Sequence, residues 1–435
     1  MALITKKVYG TEDILPKDVY KWQAIEKIMR EEAELYGFKE IRTPVFEHTE
    51  LFKRGVGDTT DVVQKEMYTF DTKGGTSITL RPEGTAGSAR AYLEHALYND
   101  GLPVKTSYFV SCYRYEKKQA HRYREFHQFG LEVYGTAQPV ADAELIISAD
   151  SIFKRLQLKD IKLELNSIGC PECRKEYYKA LTEHFTQHTD DLCETCLSRL
   201  DRNPMRILDC KSTICSKFAS KAPTVLDYLC SDCKEHFESV KKYLEVANVQ
   251  YTVNPTIVRG LDYYTRTVFE FVTDTLGTQG TVCGGGRYDG LIEELGGQHT
   301  PSLGFALGME RILAVMEAQN IELPQPKDCD IYIVGMGDNA KFKAFNIVKE
   351  LRESSIKAES DIVGKSLRAQ MKYADKINAK FSLVIGDNEI DENKAMLKNM
   401  TTKEQHEVHL DDNFIAEFLD IYTETTNKEM FGEVE

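Results

Sequence analysis

Apolar residues first recur with a helical period: Trp22, Ile25, Ile28, Met29 and Leu35 predict a helix over 18–36, ended by Gly37. Residues 38–52 predict a strand followed by a turn. SITLR (77–81) predicts a strand that stops at Pro82, with a helix from Gly84 to Leu97. Strand-like runs on either side of a charged loop predict a hairpin over 103–135. Residues 142–156 predict an amphipathic helix, and strict alternation in IKLELNSIG (161–169) predicts a strand.

The texture then changes. From about 169 to 245 the pattern predicts short helices rich in Lys and Glu, with most of the cysteines. Residues 252–274 return to long predicted strands. TVCGGGRYDG (281–290) predicts a glycine-rich turn opening onto a helix, and 302–319 a strand passing into another helix. Two prolines in 322–329 mark a linker. Beyond it strand and helix alternate, which predicts a compact α/β unit with parallel pairing. Three regions follow: 1–325, an insert at 169–245 within it, and 328–435.

Composition narrows the class. The 435 residues are 42% apolar and 29% charged, enough for two or three packed domains. A net charge of −14 excludes a polycation that binds nucleic acid along its whole surface, so such a partner must meet a local basic patch. No run approaches the roughly 20 apolar residues of a membrane span, and MALITKKVYGTED lacks the apolar core of a signal peptide. The expectation is a soluble, cytoplasmic protein.

The basic patch is SCYRYEKKQAHRYREFHQFGLEVYG (111–135), with Arg114, Arg122 and Arg124. Arg81 and Glu83 of RPEG, Gln128, Glu132, and Arg311 of ALGMER join it. Each alone reads as a surface pair; together they supply guanidinium forks suited to a polyphosphate. RGLDYYTRTVFEF (259–271) reads as a strand with charge on both sides of the pleat, where a buried arginine needs an anionic partner. CGGGRYDG is neither form of phosphate loop and reads as a tight turn needing positive φ. The residues thus point to an anion or nucleotide site on an antiparallel sheet.

The motifs carry a closer resemblance. FKEIRTPVFEHTELFKRGVG resembles motif 1, YFVSCYRYE through RYREFHQFGLEVYG motif 2, and LGFALGMERIL motif 3 of class II aminoacyl-tRNA synthetases. RGLDYYTRTVFEF and CGGGRYDG resemble the two peptides peculiar to the bacterial histidyl-tRNA synthetase family, and the likeness runs over essentially the whole chain. It implies an α+β fold: a six-stranded antiparallel sheet with flanking helices, a helical insert, and a C-terminal α/β anticodon-binding domain.

It also implies a reaction: histidine and ATP form an adenylate with loss of pyrophosphate, and histidine then passes to the 3′ end of tRNA(His). Arg114 and Arg259 would carry the catalysis at the α-phosphate. Glu116, Arg122, Phe126 and Arg311 would hold ATP, with Phe126 stacked on adenine. Glu83, Thr85 and Gln128 would meet the α-amino group, and Glu132 and Tyr264 the two imidazole nitrogens, with Tyr263 and Tyr288 completing the histidine pocket. Gln119 would read the acceptor end. Mg2+ is implied on the pyrophosphate side, and the motif 1 likeness implies a homodimer. The motif 2 loop departs from the family's usual Glu-Arg-Pro-Gln-x-Gly-Arg, with Lys118 and His121 at the proline and glycine positions.

The cysteines are not explained by the resemblance. Eight of eleven fall in pairs between Cys170 and Cys233. Cys193, Cys196, Cys210 and Cys215 have spacing compatible with a structural Zn2+. Cys170, Cys173, Cys230 and Cys233 would make a second site if the insert folds back; buried thiols are the other reading. Two other functions compete with the ligase: a catalytically silent regulatory paralogue and a zinc-dependent nucleic-acid module. The intact RGLDYYTRTVFEF and the presence of 328–435 speak against the first. The second leaves the arginines unaccounted for.

Overall fold

Period-two alternation builds the sheet on which everything else rests. In Glu125–Tyr134 the residues Phe129, Leu131 and Val133 point into the main core, while Phe126, Gln128, Gly130 and Glu132 share the opposite face. Burial of each large apolar side chain on the core side contributes about 1.5–3 kcal/mol. The computed structural model describes residues 4–431 apart from 58–59, 118–121, 211 and 327–328. The chain divides into two compact units, Met1–Leu323 and Pro324–Glu435.

In chain order the strands of the first unit are β1 (Lys39–Glu40), β2 (Phe46–His48), β3 (Thr69–Asp71), β4 (Ser77–Leu80), β5 (Val104–Tyr113), β6 (Glu125–Tyr134), β7 (Lys162–Ser167), β8 (Tyr251–Val253), β9 (Thr265–Val272), β10 (Thr281–Arg287) and β11 (Ser302–Gly308). The main sheet runs β1-β5-β6-β11-β10-β9-β7-β8. Its six inner strands are antiparallel throughout, as the resemblance implies. Two short edge strands, β1 and β8, add parallel pairs and bring the sheet to eight. Helices Pro16–Leu35, Pro139–Arg155, Ser231–Val246 and Met309–Ala318 supply buried residues to the core on one face. A small sheet, β2-β4-β3, stands beside it.

Two stretches differ from their sequence reading. Residues 254–264 are irregular and not strand: Pro255 has no N–H for a ladder, and the carbonyls of Arg259 and Gly260 are taken by Arg206. CGGG of CGGGRYDG is not a tight turn, because Gly284, Gly285 and Gly286 lie inside β10 in the middle of the sheet. They are there for close approach. The arginine of that motif, Arg287, is fully buried against Asp142 (2.9 and 2.8 Å from Nε), and His236 reaches Asp142 at 3.3 Å, tying the end of the insert to the sheet. The turn expected at the end of 38–52 is the start of a helix, Thr49–Val56.

The insert contains helices Pro171–Thr186, Glu194–Leu200, Thr213–Ala219 and Ser231–Val246. In the second unit β12 (Ile331–Gly335), β13 (Ala358–Ser360) and β14 (Phe381–Ile385) pair in parallel, and β15 (Lys394–Asn399) and β16 (Gln405–His409) extend the sheet antiparallel. No helix among the described residues is long and apolar enough to cross a membrane.

Candidate active site

The face of the sheet opposite the main core bears a cavity of about 220 Å3. Phe126 and Gln128 come from β6, Thr281 to Gly284 from β10, and Ala306 and Gly308 from β11. The floor is kept low by glycine. Gly284 faces Glu270 on β9 and Ala306 on β11, and a Cβ on it would lie 2.5 Å from the Arg259 guanidinium. Gly304 faces Glu132, whose carboxylate occupies the space a Cβ would need.

Four arginines converge on this floor: Arg114, Arg122, Arg259 and Arg311. Arg114, Arg122 and Arg124 all lie in the connection between β5 and β6, at the mouth of the hairpin. Arg114 donates from Nε to the Pro82 carbonyl at 2.9 Å and lies over the Phe126 ring at 5.2 Å. Arg122 pairs with Glu116 at 3.1 Å. Arg311 donates to the Thr281 carbonyl; burial, and then the positive charges of Arg122 and Arg114, hold its pKa below the ordinary arginine value. Cations that repel one another in a half-buried cleft make a site for a polyanion.

Arg259 is partly buried, its side chain 19% exposed, and is paired with Glu270, which also accepts from Thr281 Oγ1 at 2.8 Å. Burial opposes its charge, and the Glu270 carboxylate outweighs burial, so its pKa is raised. Its Nε is buried with no acceptor among the described residues. A buried donor without a partner costs about 1–3 kcal/mol, which an anion placed there would recover.

Beside the cavity, on the same face of the sheet, lies a polar cluster. Glu132 is fully buried and accepts from Tyr108 Oη at 2.8 Å and from Tyr288 Oη. Burial raises its pKa to about 8. Glu83 caps the helix Thr85–Glu94, accepting from the N–H groups of Thr85 (2.8 Å) and Ala86 (2.7 Å), and burial raises its pKa too. Tyr263 and Tyr264 line the cavity, with Tyr263 edge-on to Tyr288 at 5.4 Å.

Most residues expected from the sequence therefore gather here: Glu83, Thr85, Arg114, Glu116, Arg122, Phe126, Gln128, Arg259, Tyr263, Tyr264 and Arg311 line the cavity. Glu132 and Tyr288 bond to each other behind its wall. Gln119, with Lys118 and His121, lies outside the described residues. Arg81 and Arg124 are not part of the anion site. Arg81 donates to the carbonyls of Ser111, Thr43 and Pro44 at 2.7, 2.9 and 3.1 Å, and Arg124 stacks over Tyr115 at 4.0 Å. Sequence reading missed Glu270, Tyr108 and Glu310. Glu310 accepts from the N–H of His127 at 2.9 Å; its place directly before Arg311 at a helix start was the one available signal. A larger cavity of about 1100 Å3 borders helix Thr49–Val56, but Arg90 in its wall is already matched by Glu47 (2.5 Å) and Glu94 (2.8 Å).

Outside the cavity, the insert cysteines form two groups. The sulfurs of Cys170, Cys173, Cys230 and Cys233 all lie within 4.8 Å of one another, and so do those of Cys193, Cys196, Cys210 and Cys215.

Comparison with known proteins follows the same lines. A family model described as histidyl-tRNA synthetase matches residues 10–312, and one described as an anticodon binding domain matches 330–419. The chain is 55% identical over 401 residues to the histidine–tRNA ligase of Clostridium novyi, covering 92% of this chain and 95% of that one. It is 55% identical over 409 residues to that of Acetivibrio thermocellus, covering 94% and 98%. The crystal structure of apo S. aureus histidyl-tRNA synthetase is similar with a TM-score of 0.82 at 42% identity, over 95% of this chain and 100% of that one.

Proposed function

The chain belongs to the histidyl-tRNA synthetase family, and we propose that the arginine-lined cavity is where it joins histidine to ATP. The overall reaction is activation of L-histidine with ATP and its transfer to tRNA(His). The observation that carries the site assignment is the convergence of Arg114, Arg122, Arg259 and Arg311 on one cavity that adjoins the buried Glu132.

In this reading a histidine carboxylate oxygen attacks the α-phosphorus and pyrophosphate leaves. The terminal ribose hydroxyl of the tRNA then attacks the acyl carbon and AMP leaves. The substrate supplies its own nucleophile, so the protein positions and stabilises charge. Arg114 and Arg259 flank the α-phosphate, with the free Nε–H of Arg259 aimed at developing negative charge. Arg311 and Arg122 hold the outer phosphates. Adenine lies on Phe126, whose other face Arg114 covers. The histidine α-amino group meets Glu83, Thr85 and Gln128. Its imidazole reaches Glu132 and Tyr264, one nitrogen donating and the other accepting.

Glu116 and Glu310 line the cavity with hard oxygen donors of the type Mg2+ takes. Bound with the nucleotide, Mg2+ would neutralise the leaving pyrophosphate. A structural Zn2+ at Cys193, Cys196, Cys210 and Cys215 is part of the proposal, as are a cytoplasmic location and an acceptor-end contact by Gln119. We divide the chain into a catalytic domain over 1–325, with the insert at 169–245, and an anticodon-binding domain over 328–435.

The test is exchange of labelled pyrophosphate into ATP. Exchange is expected with histidine and with none of the other amino acids. A well-folded protein that exchanges with no amino acid would overturn the assignment.

We also propose a homodimer formed by the motif 1 region. Its small sheet presents Phe46 and Phe70, about half exposed at 53% and 48%, an apolar face that a second copy would cover. Sedimentation velocity should find a dimer for the natural protein and a monomer for Phe46→Glu. A natural chain that sediments as a monomer would defeat the idea.

A further inference from the structure

We propose that the insert is a two-zinc clamp that positions Arg259 through Arg206. This deepens the ligase reading and rests on it for the role of Arg259, whereas the metal sites stand on geometry alone.

The sulfur positions suit zinc. Four thiolates at about 2.3 Å from a tetrahedral Zn2+ lie about 3.8 Å from one another. Two sulfur pairs bracket that value: the Cys170 and Cys173 sulfurs are 3.5 Å apart, and those of Cys193 and Cys210 are 3.9 Å apart. A disulfide would bring two sulfurs to about 2.05 Å. Backbone N–H groups already point at the sulfurs, from Cys230 to Cys173 Sγ at 3.1 Å and from Cys193 to Cys215 Sγ at 3.4 Å. Such bonds support thiolate ligands. With sulfur donors alone, four to a site, zinc is the divalent ion favoured. Binding exchanges protons for metal: four thiols and one Zn2+ give a tetrathiolate site and four released protons.

The two sites do different work in the chain. Cys170 and Cys173 follow β7, while Cys230 and Cys233 open the helix that leads back to β8, so this quartet joins the two ends of the insert. The other quartet lies inside it and brackets residues 203–207 between Cys196 and Cys210. These inner helices, Glu194–Leu200 and Thr213–Ala219, are seven residues each, too short to be stable by themselves. A metal would add to the small apolar cluster of Leu192, Leu200, Met205 and Ile207 that packs this segment.

What the bracketed segment holds is the backbone of the histidine peptide. Arg206 donates from Nη1 to the Arg259 carbonyl at 3.0 Å and from Nη2 to the Gly260 carbonyl at 2.8 Å. Arg199 donates to the Arg206 carbonyl at 3.1 Å and to Asp61 at 2.9 Å, and Asn203 donates to Asp262 at 3.1 Å. From the outer site's helix, Arg174 reaches the Tyr264 carbonyl at 3.3 Å. Residues 254–264 lack a sheet ladder, so the insert supplies the partners that a neighbouring strand would otherwise give. Arg206 is a positioning residue, touching Arg259 only through its main chain.

The experiment uses the full-length protein purified without chelator. Elemental analysis should find two zinc ions per chain, and the Cys196→Ser/Cys215→Ser variant one. Cobalt substitution should show the thiolate-to-metal bands of a tetrahedral all-sulfur site. Arg206→Ala should keep both zinc ions while kcat for histidine-dependent exchange falls about 100-fold, the scale of a small misplacement of a reacting group. Arg206→Lys, which replaces the planar guanidinium fork with a compact ammonium, should recover only part of that loss. One zinc or fewer per natural chain would overturn the two-zinc clamp. Normal exchange by a zinc-loaded Arg206→Ala would overturn the coupling. Absence of exchange from the zinc-loaded natural protein would instead count against the ligase reading and leave the zinc count as it stands.

Discussion

Arg259→Ala is expected to lower histidine-dependent pyrophosphate exchange by about 10^3-fold, the upper range for removing one preorganised charge donor. The loss should fall on kcat if, as proposed, Arg259 meets charge that grows as the carboxylate attacks. Its Nε–H is buried without an acceptor among the described residues, and Nη1 donates to Glu270, which Thr281 in turn holds. The substitution also strands the Glu270 carboxylate, so a fall in Tm is expected with it. Arg259→Ala/Glu270→Gln separates the two effects: it should recover the Tm and none of the exchange. Exchange within threefold of normal in either variant would remove Arg259 from the reaction.

Histidine binding should depend on pH through Glu132. Burial lifts its pKa to about 8, so near neutrality the empty pocket holds it largely protonated. A protonated carboxyl offers its own hydrogen where the imidazole N–H needs an acceptor. The KM for histidine should therefore fall as pH rises towards 8, by at most tenfold per unit, and level off above it. Glu132→Gln should raise KM and flatten the profile. Stability moves the other way. A carboxyl whose pKa is raised by folding stabilises the protein fully at acid pH, below its ordinary value. That contribution is lost as pH climbs through about 8. Above pH 8 the Glu132→Gln protein should then melt higher than the natural one. A steep KM profile persisting in Glu132→Gln would assign the titration to another group.

The two variants probe residues that differed in how visible they were. Glu132 lies on a strand whose alternation put Phe129, Leu131 and Val133 on one face and Phe126, Gln128 and Glu132 on the other, and that reading needs only the period of a pleat. Arg259 was legible as an arginine in want of an anion. Its surroundings were not: residues 254–264 read as strand because Ile257, Val258 and Leu261 are strand formers, yet Pro255 and Gly260 deny them a ladder. The glycines of CGGGRYDG were misread as a turn for a related reason. Glycine in sequence signals freedom in φ or room for a neighbour, and the choice at Gly284 depends on Arg259, 25 positions away.

By itself the sequence determined what local rules reach: the first helix, read at 18–36 and found at Pro16–Leu35, the hairpin β5–β6, the two-faced strands, the C-terminal alternation, and the pairing of cysteines by spacing. Its motifs also determined the family. Tertiary structure alone decided which cysteine pairs meet, that Arg81 and Arg124 serve backbone carbonyls while Arg114 and Arg311 face the cavity, and that Arg206 of the insert holds the histidine peptide. The physical reason is one of range. Periodicity and spacing encode which side of an element a residue occupies. A guanidinium's partner, or the fourth ligand of a metal, lies wherever the chain returns, and that is set by the packing of segments remote in sequence.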